Sequence, residues 1–193
     1  MNNKRRAALM RSAVIISILV LSVVSGLLFQ FIYDKYEHRE YPREYSDYVS
    51  RYAAEYGVPE HVVYAVIKTE SDFQSGAVSD AGAVGLMQLM PDTFNWLCTL
   101  TKETHDTGML YDPETNIKYG TYYLSYLYLT YGDWDTVYAA YNAGMGNVDS
   151  WLGDALEADG AKKLGHIPFE ETEKYIKKVN KADEIYLRLY YEN

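Results

Sequence analysis

A single cysteine, Cys98, stands in the 193-residue chain, so no disulfide can form within it and no thiolate-rich metal site can be built. Its neighbours Trp96, Leu97 and Leu100 mark it as a buried structural thiol rather than a nucleophile. Histidine is nearly as scarce. His38, His61, His105 and His166 are scattered without ligand spacing, which argues against a metal centre. No acidic residue precedes Asp34, whereas Lys4, Arg5, Arg6 and Arg11 do. Beyond that point 14 of the 18 basic residues face all 27 acidic ones, a net charge of −13 within an overall −9. Such a balance lacks the basic footprint that nucleic acid requires, so no nucleic-acid partner is expected. Internal repeats, long low-complexity tracts and convincing strand alternation are missing too. What remains is a helical pattern, and the chain reads as essentially all-α.

Of what is abundant, tyrosine stands out with 21 copies against 5 phenylalanines and 3 tryptophans. Most of these rings are expected to pack helices together, while some offer hydroxyls to a polar ligand. Residues 12–33 form a run of 22 without charge, enough to cross a bilayer as one helix. The basic residues ahead of it place the N-terminus in the cytoplasm and the rest of the chain outside. A cleaved signal peptide competes, with Val23-Val24-Ser25 as a weak cleavage site. The apolar run continues through Leu27, Leu28, Phe29, Phe31 and Ile32, however, which favours an uncleaved anchor in the cell membrane. The expected organisation is a basic head over 1–11, an anchor over 12–33, a charged stalk over 34–44 and a domain over 45–193.

Within the domain, Tyr45, Tyr48, Val49, Tyr52, Ala53 and Tyr56 recur at helical spacing, and Gly57 follows as a C-cap. Residues 98–112 read as a polar loop, with a cleft-lining role open to it. Asp112-Pro113 starts another helix, with Ile117, Gly120, Tyr123, Leu124, Leu127, Tyr128 and Tyr131 along its buried side. Gly132-Asp133 ends it. Trp134, Val137, Tyr138 and Tyr141 mark the next, which stops at the turn-rich stretch 142–146. A polar loop over 153–166 precedes a last long helix striped by Tyr175, Ile176, Val179, Ala182, Ile185, Tyr186 and Leu189.

The stretch 62–91 carries the chemistry. Val63, Val66 and Ile67 share a helix face, and three residues on the same stripe reaches Glu70. A carboxylate there is costly unless it is paired or protonated, and desolvation raises its pKa toward what a general acid needs. Gly76, Gly82 and Gly85 then let backbone lie close to a ligand. By pattern alone the stretch reads equally well as a core helix, a tight loop and a capping glutamate.

Four motifs in order tip the balance. Glu70-Ser71, then Gly82-Ala83 with 85–91 (GLMQLMP), resemble the first two motifs of the SLT-type lytic transglycosylase domain. Residues 139–144 (AAYNAG) resemble the third, and Pro168-Phe169, Glu171-Thr172 and Tyr175-Ile176 the fourth. Together they cover roughly Tyr45 to Tyr190. The resemblance implies a lysozyme-like helical domain that cleaves the MurNAc–GlcNAc β-1,4 bond of peptidoglycan glycan strands, with no cofactor. It implies Glu70 as the catalytic acid and then base. It places Gln88 and Met90 in the sugar groove, Ser71 beside the acid, Tyr141 near the reaction centre and Asn142 at the turn. Glu171 and Tyr175 support the site from the last helix. Where the family commonly has arginine after Glu-Thr, this chain has Glu173, which puts that ion pair in doubt.

No second acid is compelling from sequence. Asp72, Asp80 and Asp92 lie nearest to Glu70 in sequence; Asp72 points away from it on a helix, and Asp92 reads as a first-turn charge. That fits a transglycosylase better than a glycosidase with two flanking carboxylates. Two alternatives remain: a goose-type muramidase using water as nucleophile, and a non-catalytic, membrane-anchored peptidoglycan-binding scaffold.

Overall fold

The computed structural model describes residues 3–152, 164–165 and 167–192. The loop expected over 153–166 falls, but for Leu164 and Gly165, outside the described residues. Two compact units divide between Pro42 and Arg43. The first is dominated by helix α1 (Asn3–Glu40). Its apolar stretch is long enough to cross a membrane by length and composition, and its aliphatic side chains from Val14 to Ile32 are exposed. The helix runs on through Asp34–Glu40 as one piece, so most of the expected stalk is helical.

The second unit holds α2 (Ser46–Tyr56), α3 (Glu60–Ser71), α4 (Pro91–Thr101), a 3-10 turn (Thr107–Tyr111), α5 (Pro113–Tyr131), α6 (Trp134–Ala143), α7 (Met145–Leu152) and α8 (Glu170–Tyr190). Among the described residues the only β pairing is two isolated bridges, Val78 with Val84 and Val84 with Leu89. Most boundaries follow local chemistry. Pro91 and Pro113 open α4 and α5, where a missing N–H costs nothing. The Asp112 and Asp133 carboxylates accept from Thr115 N and Thr136 N and cap α5 and α6. Gly57 and Gly132 close α2 and α5 in the left-handed conformation.

Helix α3 is the axis of the domain. Every residue from Val62 to Ile67 is buried, as expected of a helix surrounded on all sides. Its principal partner is α8, which presents Tyr175, Ile176, Val179, Ala182 and Tyr186. Tyr64 stacks on Tyr186 with centroids 5.3 Å apart. Cys98 is buried on α4, and Val137, Tyr138, Ala139 and Ala140 bury α6.

Three expectations need correction. Tyr128 is 40% exposed, because it lies one residue off the Leu124–Leu127–Tyr131 stripe; it stacks instead on Trp134 at 4.5 Å. The stop after Asn142 is a corner rather than an exit: Gly144, at φ 87°, turns the chain straight into α7, which buries Val148 and Leu152. In the expected loop 98–112, α4 continues to Thr101 and the 3-10 turn buries Leu110. Glu103 anchors it, accepting from Lys118 Nζ at 2.8 Å and Tyr119 Oη at 2.9 Å.

Candidate active site

Glu70 sits in the last turn of α3, where the helix leaves the core. Asp72 and Phe73 both take positive φ, 50° and 63°, and reverse the chain immediately after it. Two consecutive left-handed residues other than glycine carry strain, and strain of this kind collects at functional sites. Burial of Phe73 against Tyr64 and an ion pair of Asp72 with Lys68 at 2.6 Å hold the reversal. Asp72 is thereby committed away from Glu70.

The segment that follows is a strap laid over the end of α3. Val84 and Leu89 exchange backbone hydrogen bonds at 3.0 and 3.1 Å, closing a tight loop around Gly85 and Gln88. Gln88 itself has φ 46°, and its amide donates to Ala77 O and Gly85 O at 3.1 and 2.9 Å. Beneath the strap lies Asn116 of α5, fully buried. Its Oδ1 accepts from Met87 N at 2.7 Å, and its Nδ2 donates to Val84 O and Leu110 O at 2.9 and 2.8 Å. Gly85 and Gly120 make the close approach possible. A Cβ on Gly85 would lie 2.2 Å from Asn116 Nδ2, and one on Gly120 would lie 2.3 Å from Met87 Sδ.

A cleft of about 460 Å³ opens between the strap, the end of α3, the α6 corner and the start of α8. Glu70, Gln88, Met90, Tyr141, Asn142 and Glu171 line it, which brings together six of the eight residues expected at the site. Tyr175 is buried alongside and donates its hydroxyl to Glu70 Oε1 at 2.6 Å. Ser71 is placed differently. It is buried, and its hydroxyl donates to Leu86 O at 2.7 Å, so it ties α3 to the strap instead of facing sugar. The reason is helical geometry: one residue beyond Glu70 is a rotation of 100°, from the cleft into the core. Tyr141 also serves the strap, donating to Met87 O at 2.7 Å. Asn142 Oδ1 accepts from Thr172 at 2.9 Å, which joins the α6 corner to α8. Glu173 is exposed and pairs with Lys177 at 2.6 Å.

Ser79, Asp80, Ala81 and Ala83 complete the cleft wall; Ala83 belongs to the second motif and Asp80 is one of the acids near Glu70 in sequence, whereas sequence reasoning missed Ser79 and Ala81. It also missed Asn116, whose signal was a polar residue on the apolar face of α5.

Electrostatics single out one residue. Burial pushes the Glu70 carboxyl up to about 7, and the Tyr175 hydrogen bond opposes that only in part. The hydroxyls of Tyr175 and Tyr141 are in turn held well above their ordinary range by burial and by the Glu70 charge. Among the described residues no three His, Cys, Asp or Glu side chains converge as metal ligands do.

An all-helical domain that places one proton-holding glutamate, bound by a buried tyrosine, in its cleft is of the lysozyme-like class. The relationship is closer than the class. The sequence profile of the Transglycosylase SLT domain matches residues 47–164, and the chain belongs to that family. The soluble lytic murein transglycosylase of Escherichia coli K12 is 37% identical over 160 residues, covering 80% of this chain and 24% of that protein. The membrane-bound lytic murein transglycosylase C of Edwardsiella ictaluri is 33% identical over 192 residues, covering 88% and 53%. Among solved structures, the 70 kDa soluble lytic transglycosylase of Escherichia coli superposes with a TM-score of 0.72 at 32% identity, over 90% of this chain and 28% of that one. The chain thus spans between about a quarter and a half of the length of these relatives.

Proposed function

We propose that this protein is a membrane-anchored lytic transglycosylase that cleaves the MurNAc–GlcNAc β-1,4 bond of peptidoglycan and releases 1,6-anhydroMurNAc ends. The observation that carries the reading is Glu70, held near pKa 7 in the cleft and bound by Tyr175. At neutral pH both its forms are populated, which suits a group that must first give a proton and then take one.

In the first step Glu70 protonates the glycosidic oxygen as the bond to C1 breaks. The substrate's own N-acetyl group relieves the positive charge at C1. Glu70, now ionised, keeps the Tyr175 hydroxyl as a donor, so the carboxylate is stabilised as it forms. It then removes the proton of the MurNAc 6-hydroxyl, whose oxygen attacks C1 and closes the anhydro ring. No water enters the bond, and the proton lost in the first step is recovered in the second. Glu70, Tyr175, Gln88, Met90, Tyr141, Asn142 and Glu171 form the site in this reading; Ser71 supports it from within the core.

For the anchor, the apolar part of α1 and the membrane-bound relative support attachment to the cell membrane. The basic head assigns the N-terminus to the cytoplasm and the catalytic domain to the wall side, by a single pass. The organisation remains head 1–11, anchor 12–33, stalk 34–44 and domain 45–193.

A hydrolytic muramidase is a second reading, because Asp80 and Glu171 share the cleft with Glu70 and either would serve to activate water. Digestion of purified peptidoglycan by the full chain in a non-ionic detergent, with products read by mass spectrometry, separates the two. Anhydro ends, absent from a Glu70→Gln digest, are expected. Reducing ends, about 18 Da heavier by the added water, would move the protein to the hydrolases.

A further inference from the structure

The catalytic cleft carries charge of one sign. Among the described residues Glu70, Asp80 and Glu171 line it, and no basic side chain does. The lysines Lys174 and Lys178 of α8 line a separate hollow beyond Asn142 and Glu171. Glu70 is engaged, accepting the Tyr175 hydroxyl at 2.6 Å. Asp80 and Glu171 are not. Both are exposed, and neither has an ion pair or side-chain hydrogen bond among the described residues. The acids beside them in sequence are committed elsewhere: Asp72 to Lys68, Glu170 to Lys174 and Glu173 to Lys177, each at 2.6 Å.

The fold holds both free carboxylates at the cleft. Residues 79–82 form a tight turn of the strap, in which Gly82 N donates to Ser79 O at 2.9 Å and Gly82 takes φ 89°. Ala83 N donates to Ser79 Oγ at 3.0 Å and braces it. Asp80 is the second residue of this turn, so its backbone is fixed while its carboxylate stays open to the cavity. Glu171 stands in the first turn of α8, where the helix dipole favours a negative charge. Two carboxylates from separate elements, in one cavity without a cation, repel each other, and a cationic ligand relieves that repulsion.

The ligand read for this cleft is a glycan. A glycan gains positive charge with its backbone unchanged when a hexosamine carries a free 2-amine in place of the N-acetyl group. The muramic residue has to keep its amide, because that amide relieves the charge at C1, so the amine belongs to a glucosamine. We propose that the cleft selects glycan strands whose glucosamine residues bear free amines, with Asp80 and Glu171 receiving the ammonium. The inference rests on the peptidoglycan reading of the cleft. The reaction that supplies such strands is amide hydrolysis, in which water cleaves the N-acetyl group to acetate and leaves the ammonium on the sugar.

The test is calorimetric titration of the full chain in a non-ionic detergent, as Glu70→Gln to prevent turnover, at pH 6. Two peptide-free GlcNAc–MurNAc tetrasaccharides are compared, one fully acetylated and one with free glucosamine amines. The amine form is expected to bind about fivefold more tightly, a preference that falls with added salt. Asp80→Asn/Glu171→Gln should bring the ratio to one or below, and Asp80→Glu should retain it. A ratio of one in the parent, a ratio unchanged by the double substitution, or no binding of the amine form overturns the proposal. A fully acetylated tetrasaccharide bearing its peptides carries amines only on the peptide; an equal gain from it, lost in the same variant, would also overturn the assignment to the sugar. The reaction assignment is tested separately. A flat ratio with anhydro ends in the digest removes only the amine preference, and an intact, acid-dependent ratio without anhydro ends removes only the transglycosylase.

Discussion

Replacing Glu70 by glutamine keeps the side chain's shape and an acceptor for the Tyr175 hydroxyl but deletes its titration. On folding, the wild-type carboxyl moves from its ordinary 4.5 to about 7, because burial disfavours the charge. Between those pH values the folded protein holds a proton that the unfolded chain has released. The stability belonging to the protonated form is fully present below about 4.5 and is lost as pH rises through about 7. A shift of that size corresponds to roughly 3 kcal/mol. Glu70→Gln is neutral throughout and escapes the loss. Wild type and variant should unfold alike at pH 4, and the variant should be the more stable at pH 8. For a domain of this size the gain in Tm is roughly 6–12 °C. Near-ultraviolet circular dichroism of the full chain in a non-ionic detergent, melted at pH 4, 6 and 8, reads the difference. Every other titrating group is common to both proteins, so the pH dependence of the gap reports Glu70. A gap that stays constant with pH, or a variant weaker than wild type at pH 8, would refute the argument that burial holds this proton.

Activity should carry the same signature: kcat/KM for glycan cleavage is expected to fall above about pH 7 as Glu70 loses the proton it must donate. Tyr175→Phe removes the bond that lowers the Glu70 pKa, so that falling limb should move to higher pH. The maximal rate should drop by roughly tenfold to a hundredfold as the nascent carboxylate loses its donor; an unmoved limb would break the link. Asn116→Asp is nearly isosteric but sets a carboxylate against the Val84 and Leu110 carbonyls. It should cost on the order of 3 kcal/mol or more at pH 8 and recover in part in acid, where the group can donate again. Gly85→Ala combines a forbidden φ of 84° with a contact at 2.2 Å and should destabilise by at least about 3 kcal/mol in the same melts.

The sequence by itself determined a good deal here. Helical periodicity placed the faces of α2, α5 and α8, because burial on one side of a 3.6-residue repeat leaves a pattern in any single segment. It put Glu70 on the apolar stripe of α3, and so marked a desolvated carboxyl, before any partner was known. The four motifs assigned the family because several of their residues, Gly85 and Tyr141 among them, are dictated by close packing that few side chains can satisfy. Tertiary structure alone decided the rest. Nothing local links Tyr175 to Glu70, 105 positions apart, yet the α3–α8 packing brings them to 2.6 Å and so sets how tightly the acid holds its proton. Ser71 shows the converse: the motif resemblance set it beside the acid among the site residues, and a helical turn of 100° carries it into the core. Asn116 drew no notice in a stripe of apolar residues because its value lies in three groups of the distant strap and 3-10 turn. Distances across a cleft are a property of packed helices, and only the tertiary packing brings Glu70, Asp80 and Glu171 to one cleft.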